Sequence, residues 1–475
     1  MAFGDQGAPA PVGKTALGYG AMIAGSVLAF LWVRAQGRDI HAPTPSGTST
    51  FATTQSDHSI DSLLHVLLAL VVIIVAARLV GALFRRLGQP PVIGEVIAGI
   101  LLGPSLLGRV APYAYAFLLP PSVAPLLQVI AQVGVILYMF LVGLELNPIQ
   151  LRRSSHTALA ISHASILLPF LLGSALALAL YPLLSTSDVP FTAFALFLGV
   201  SMSVTAFPVL ARILSDRRIQ ASPLGVMALT CAAVDDVTAW CLLAFVVSVA
   251  QARGEIALVT VGLTAAYIVF IFAALRPILK RLVPRIESEG DTSQNALAFV
   301  FVLLLASALV TESIGIHALF GAFLVGAVFP HESRLAREMT PRLEGIVVVL
   351  LLPAFFAFSG MRTQIQLVSG AGKWLLCGVI LLVACAGKFG GSALAARLSG
   401  YSWRDASALG ILLNTRGLVE LIVLNVGLDL GVISPTLFAM LVIMALVTTF
   451  ATSPILDWIR RSESRGVRVS RPVLP

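Results

Sequence analysis

The sequence predicts an all-α polytopic membrane protein, on three observations. Its 475 residues are 58% apolar and only 11% charged, with a mean hydropathy of +0.95; a soluble globular chain carries about 25% charge. Long apolar windows recur along the whole length, each near the roughly 20 residues that one helical crossing needs. The loops between them alternate strongly in positive charge. At this length such a chain holds 13 membrane helices and no sizeable soluble domain, so its function must sit inside the membrane.

An N-terminal apolar stretch, Ala16 to Val33, follows Lys14 and leads into a polar Ser/Thr/Pro segment. It reads either as a signal peptide or as an added helix. The 13 predicted helices follow near 61–84, 91–108, 122–146, 155–181, 191–214, 222–250, 255–283, 294–311, 314–330, 343–362, 371–397, 404–427 and 434–459. Gly, Pro and charge clusters bound them. Arg85/Arg86, Arg152/Arg153, Arg217/Arg218, the Arg276–Arg285 cluster, Arg334/Arg337/Arg342, Arg397/Arg404 and the Arg460–Arg471 tail all fall on one side. The other side carries Arg109, Arg253, Arg362 and Lys373. By the positive-inside rule the first of the 13 helices runs inward and the basic tail, 461–475, is cytoplasmic, which places the protein in the cell (inner) membrane. The net charge of +8 is explained by these loops, and no nucleic-acid partner is expected. Cys231, Cys241, Cys377 and Cys385 all lie in apolar segments without metal or redox spacing, and read as small buried hydrophobes.

An ionisable group in mid-membrane costs about 2.5–3.5 kcal/mol on insertion scales and marks function by default. The segment CAAVDDVTAW puts Asp235 and Asp236 half-way along the sixth helix; ACAGKFGG puts Lys388 in the eleventh; NTRGLVELIVLN puts Arg416 and Glu420 in the twelfth. Adjacent helical residues point about 100° apart, so the two aspartates cannot share one partner. The economical division pairs one with a buried cation such as Lys388 and leaves the other to a mobile ion or proton; the bland alternative is a purely structural ion-pair network. Arg416 and Glu420, at i,i+4, are equally consistent with neutralising each other within one helix. The fifth helix carries Ser201, Ser203 and Thr205 before Pro208, and the twelfth breaks at Asn414, Thr415, Arg416 and Gly417. Interrupted apolar segments in corresponding places of two halves point to a transporter site, where freed backbone supplies ion ligands. His163, Glu312, His317, Glu95, Glu145 and Arg78 read as structural or interfacial residues.

These residues resemble the monovalent cation:proton antiporter superfamily over roughly 61–460, and within it the Kef-type and plant cation/proton-exchanger branch. The matching stretches are LGQPPVIGEVIAGILLGPSLLG, LYMFLVGLELNP, SMSVTAFPVLARIL, DDVTAW, GKFGG and NTRGLVELIVLN. The resemblance implies an inverted-repeat fold with broken helices crossing at mid-membrane. It implies mobile core helices at about 155–250 and 371–459, dimerisation or scaffold helices at about 61–146 and 294–362, a linker helix at about 255–283, and a homodimer. Residues 1–60 stand outside it as a signal-like or extra segment with a polar linker. The carry-over makes Asp236 the ion carboxylate and Asp235 the partner of Lys388, with Thr205 and Ser203 at the crossing. Kef-type and plant relatives usually continue into long cytosolic regulatory domains; this chain ends soon after its last helix, so gating in cis is not expected. The double acid resembles the electrogenic pattern of the superfamily.

The implied activity is secondary active exchange of a monovalent cation, sodium or potassium, for protons by alternating access, with no cofactor and no enzymatic step. An electroneutral or passive potassium efflux system of Kef type, or a sodium-coupled organic-solute carrier, is the alternative. An intramembrane aspartic protease needs its acids on separate helices, in YD and GxGD contexts that are missing here, and a potassium channel needs a TVGYG-like filter.

Overall fold

The computed structural model describes residues 12–37, 40–42, 61–145, 156–251, 256–288 and 294–466. With no water to satisfy the backbone in a bilayer, apolar runs of this length must close their hydrogen bonds within themselves, and they do so as helices. In chain order these are α1 Val12–Gln36, α2 Asp61–Arg86, α3 Pro91–Leu102, the short α4 Leu107–Val110 and α5 Pro112–Leu118, and α6 Ala124–Glu145. Then come α7 His156–Leu184, α8 Phe191–Ser203, α9 Phe207–Asp216, α10 Pro223–Gln251, α11 Ile256–Phe270, α12 Arg276–Ser288 and α13 Gln294–Ile314. The last are α14 Ala318–Val328, α15 Arg334–Ile346, α16 Leu352–Arg362, α17 Gly370–Leu398, α18 Trp403–Leu413, α19 Leu418–Asp429 and α20 Pro435–Gly466. Single π turns, Ile271–Leu275 and Val347–Leu351, join α11 to α12 and α15 to α16.

Among the described residues eleven helices are long and apolar enough to span a membrane, or twelve if the bent pair α18 and α19 is one span. Predicted spans and observed helices agree in order, but the span predicted at 343–362 already begins at Arg334, and the helix near 314–330 is shorter than predicted. There Gly315, at φ 91°, and the extended His317 delay the helix until Ala318, and Pro330 follows its end. Eleven residues reach only about 16 Å against a hydrocarbon core of about 30 Å. The predicted count of 13 is therefore reached only by adding this short helix. The N-terminal apolar stretch folds as α1 and packs along α7, with Val33 buried and the Phe30 and Phe170 rings 5.9 Å apart.

The helices sort by what they touch. One set, α2, α3, α6, α13, α14 and α16, packs together, and another is formed by α7, α8, α10, α17, α18 and α20. Small residues let backbones meet in both. A Cβ on Gly143 of α6 would lie 2.3 Å from the Phe323 carbonyl of α14, and one on Gly99 of α3 2.4 Å from Ala357 O of α16. In the second set a Cβ on Gly387 or Gly391 of α17 would strike Pro169 Cα or Ala164 O of α7 at 2.7 and 2.6 Å. The span built from α8 and α9 is 89% buried in its apolar window, whereas Gly262–Glu287 is 17% buried; the broken helix sits at the centre and the latter faces outward.

Cationic loops of the predicted positive side come together: Arg217 grips Asp457 of α20 with Nε to Oδ1 and Nη2 to Oδ2, each 2.9 Å, and Arg404 donates to the carbonyls of Ile459 and Arg460. Arg152, Arg153, Arg253, the linker residues 43–60 and the tail residues 467–475 lie outside the described residues. All four cysteines are free; Cys231 and Cys377 are buried as expected, but Cys241 is exposed on α10 and Cys385 is half-buried. An apolar helix meeting lipid presents such a residue at no hydrophobic cost, which is why burial did not follow from hydropathy.

Candidate ion site

Two helices stop short in the apolar centre. α8 ends at Ser203 and the chain resumes helically as α9 at Phe207, with Pro208 in its first turn. The proline ring excludes a helical carbonyl four residues earlier, at Val204. α18 ends at Leu413 and α19 starts at Leu418, bent by 46°. The two breaks bond to each other: Ala206 N donates to Thr415 O at 3.0 Å, and Thr205 Oγ1 lies 3.2 Å from Leu413 O. Gly417 is needed by this approach, since a Cβ there would lie 2.6 Å from Val209 Cγ2 and 3.2 Å from Ala206 Cβ.

A broken helix leaves its last carbonyls without intrahelical partners and concentrates negative charge there. Buried cations from the C-terminal part of the chain answer this at α8. Arg416 donates through Nη1 to Ser201 O at 3.0 Å and through Nη2 to Met202 O at 2.8 Å, while Lys388 Nζ donates to Ser203 O. Glu420, in the first turn of α19 at the positive end of that half-helix, accepts from Arg416 Nη1 at 3.0 Å. Thr449 of α20 holds the break from the side, accepting from Arg416 N at 3.0 Å and donating to Arg416 O at 2.7 Å.

Asp235 of α10 is fully buried against this crossing. Its Oδ1 accepts from Ser162 Oγ at 2.5 Å, and its Oδ2 from Ser165 Oγ at 2.7 Å and Thr205 Oγ1 at 2.6 Å. Lys388 Nζ stands 3.5 Å from the same Oδ2. Asp236, one residue on and so about 100° further round α10, is buried as well. A carboxylate, an ammonium and unwound backbone, all sealed from water at one crossing, form an arrangement in which one small positive charge can take the place of another.

The model of the transmembrane domain described as "Sodium/hydrogen exchanger" matches residues 63–459. This chain belongs to the sodium/hydrogen exchanger family. The exchanger is 45% identical over 397 residues to the Na+/H+ antiporter NhaS4 of Synechocystis sp., covering 83% of this chain and 97% of that protein. It is 38% identical to cation/H+ antiporter 19 of Arabidopsis thaliana, over 89% of this chain and 53% of the relative. With K+/H+ antiporter 1 of Saccharomyces cerevisiae it shares 33% identity, over 84% of this chain and 47% of the relative. The chain thus spans about half the length of the plant and yeast relatives. Its fold is similar to that of the sodium proton antiporter MjNhaP1 of Methanocaldococcus jannaschii, with a TM-score of 0.61 at 16% identity over 85% of this chain and 98% of that one.

Asp235, Thr205 and Lys388 come together at the crossing, and two other expected residues are placed differently. Ser203 contributes its backbone carbonyl, while its hydroxyl turns back to Gly199 O at 2.8 Å and Ile166 O at 3.0 Å, satisfied within its own helix and by α7. Arg416 and Glu420 do pair, but the break at 414–417 lies at Arg416, so the arginine also reaches α8 and the two are not neighbours on one continuous helix. Asn414 and Thr415 flank the site: Asn414 Nδ2 points to Cys385 Sγ at 3.6 Å, and Thr415 Oγ1 to Thr452 Oγ1 at 3.5 Å. His163 and Glu312 have the structural roles expected, with His163 Nδ1 at 2.9 Å from Leu159 O and Glu312 Oε2 accepting from Ala318 N at 2.7 Å. Sequence reasoning missed Ser162, Ser165 and Thr449. The trace of the first two in the sequence was a pair of hydroxyls three residues apart, hence on one face of a helix that also carries His163 and Ser174.

Proposed function

We propose that this protein exchanges a monovalent cation, sodium or potassium, for protons across the cell membrane by alternating access. The observation that carries the reading is the buried Asp235–Lys388 pair at the crossing of two interrupted helices, in a chain of the sodium/hydrogen exchanger family. The names of its relatives, a Na+/H+ antiporter and a K+/H+ antiporter, supply the candidate ions. Asp236 is the carboxylate at which cation and proton compete; Asp235 and Lys388 form the charge pair beside it. Hydroxyl and carbonyl oxygens of the unwound segments suit a hard monovalent cation. The set α7–α10 with α17–α20 is the moving core, the set from α2 to α6 with α13–α16 the scaffold through which two copies associate, and the C-terminus is cytoplasmic. The double acid supports electrogenic exchange with more protons than cations per cycle.

Proton flux in proteoliposomes, with sodium, potassium and lithium compared side by side, tests the reading. Cation-dependent dissipation of an imposed pH gradient is expected for sodium or potassium. A gradient insensitive to all three, or cation movement without protons, replaces exchange with a passive pathway or a solute carrier.

A further inference from the structure

Some buried serines in these helices return their proton to the carbonyl one turn back, as Ser201 does to Phe197 O, Ser248 to Ala244 O and Ser392 to Lys388 O, and Ser174 and Ser307 reach backbone carbonyls of neighbouring helices. Ser162 and Ser165 of α7 do neither. Both are fully buried, and both direct their hydroxyls across to Asp235, one to each carboxylate oxygen. With Thr205 they give Asp235 three hydroxyl donors at 2.5–2.7 Å, whereas the Lys388 ammonium is at 3.5 Å and bonds more closely to the Ser203 carbonyl. The carboxylate is therefore satisfied mainly without its cation. The other buried charged side chains at the crossing are Arg416 and Glu420 at the α18–α19 break and Asp236, the next residue on α10. The packing that fixes α7 here is itself built in, because Gly387 and Gly391 bring the lysine-bearing α17 onto α7 at Pro169 and Ala164.

We propose that Ser162 and Ser165 are positioning residues for exchange: they hold Asp235 as a hydroxyl-bound carboxylate, so that Lys388 is shared with the carbonyl end of α8 and yields its place to an incoming cation. The inference rests on the exchange reading above. Without the two serine hydroxyls, Asp235 keeps only Thr205 and Lys388 as partners; the ammonium is drawn in to replace the lost donors, and a cation must compete harder to displace it. The residues act on cation affinity through the lysine, not on the folding of the core.

The test uses the full chain in proteoliposomes and measures exchange against sodium and potassium concentration. For the Ser162→Ala/Ser165→Ala double variant, which removes two charge-assisted hydrogen bonds that the approaching Lys388 partly replaces, the apparent KM for the transported cation is expected to rise about ten-fold, with the maximal rate nearly unchanged. Each single alanine variant, keeping one hydroxyl, should fall between, and Ser165→Thr, which keeps the hydroxyl, should restore the wild-type value. Cation-dependent thermal stabilisation of the purified protein gives the binding midpoint independently of transport, and in a Lys388→Met background the serine substitutions should no longer move it. An unchanged KM with a lowered maximal rate assigns the serines a structural role only and overturns the proposal, as does an equal shift with and without Lys388. If the wild type binds cations but moves no protons, the exchange reading fails, and the binding midpoint alone then decides the role of the serines.

Discussion

At the scale of single residues, the crossing is held by charges whose partners differ in kind. Asp236 is assigned the exchanged ions, so an amide that keeps its shape but cannot alternate between proton and cation should abolish transport. Asp236→Asn is expected to fold normally by thermal unfolding in detergent, yet to give no cation-driven change in a pH dye inside proteoliposomes; wild-type rates would reassign the ion to Asp235. Arg416 makes three bonds at once, to two carbonyls and Glu420. Replacing it by methionine strands a fully buried carboxylate, for which the cost is about 3–5 kcal/mol. Arg416→Met should therefore lower the unfolding midpoint sharply. Adding Glu420→Leu should restore only part of the loss, because the Ser201 and Met202 carbonyls remain open. Full restoration would mean that the helix end needs no cap.

At the scale of elements, the helices come close where glycine lets them. Gly391 of α17 faces Ala164 O of α7 at a distance no real Cβ adopts, while Gly378 of the same helix has open space. Gly391→Leu should push α17 from α7 and carry Lys388 away from Ser203 and Asp235. A loss of about 1–3 kcal/mol is expected, in the range of overpacked cores, together with loss of exchange. Gly378→Leu should change neither. Equal effects of the two substitutions would remove close packing as the reason for the GKFGG spacing. The half-helices follow the same logic with different means: Pro208 ends one, and at the other Gly417 leaves room for the side chains of Ala206 and Val209.

At the scale of the whole molecule, the stoichiometry and the N-terminal helix are testable. If the arriving cation displaces Lys388 from Asp235, and Lys388 and Asp236 each release a proton, two protons move against one monovalent cation and one net charge crosses per turnover, worth about 2.3 kcal/mol per 100 mV. Transient currents on a solid-supported membrane should then appear on a sodium or potassium jump, and a negative-inside potential should speed cation export. Rates and end points indifferent to voltage would leave Lys388 as a structural counter-ion and make exchange one for one. α1 meets the remainder through Phe30 and Val33 on α7 and contributes no described side chain to the crossing. A chain starting near residue 57 behind a foreign export signal is expected to exchange cations at wild-type rates with a lower unfolding midpoint. Lost activity at normal membrane levels would make α1 part of the working core.

The sequence by itself determined the membrane class, the order of the helices, both interruptions, the arginine that occupies one of them, and the aspartates and lysine on the helices packed beside them. These are local properties: hydropathy sets a span, proline and glycine end a helix, and a charge in an apolar run is conspicuous because nothing nearby neutralises it. The length of α14 escaped because a short buried helix and a full span have the same hydropathy. Which atom meets which was decided by tertiary structure alone. Ser162 and Ser165 stand some 70 residues from Asp235 and look like ordinary helical serines until α7 is packed beside α10. Arg416 looks like the partner of Glu420 until the break turns it toward the carbonyl end of α8, over 200 residues away. A hydroxyl or a guanidinium has several possible partners of nearly equal energy, and only the packing of helices distant in sequence selects among them.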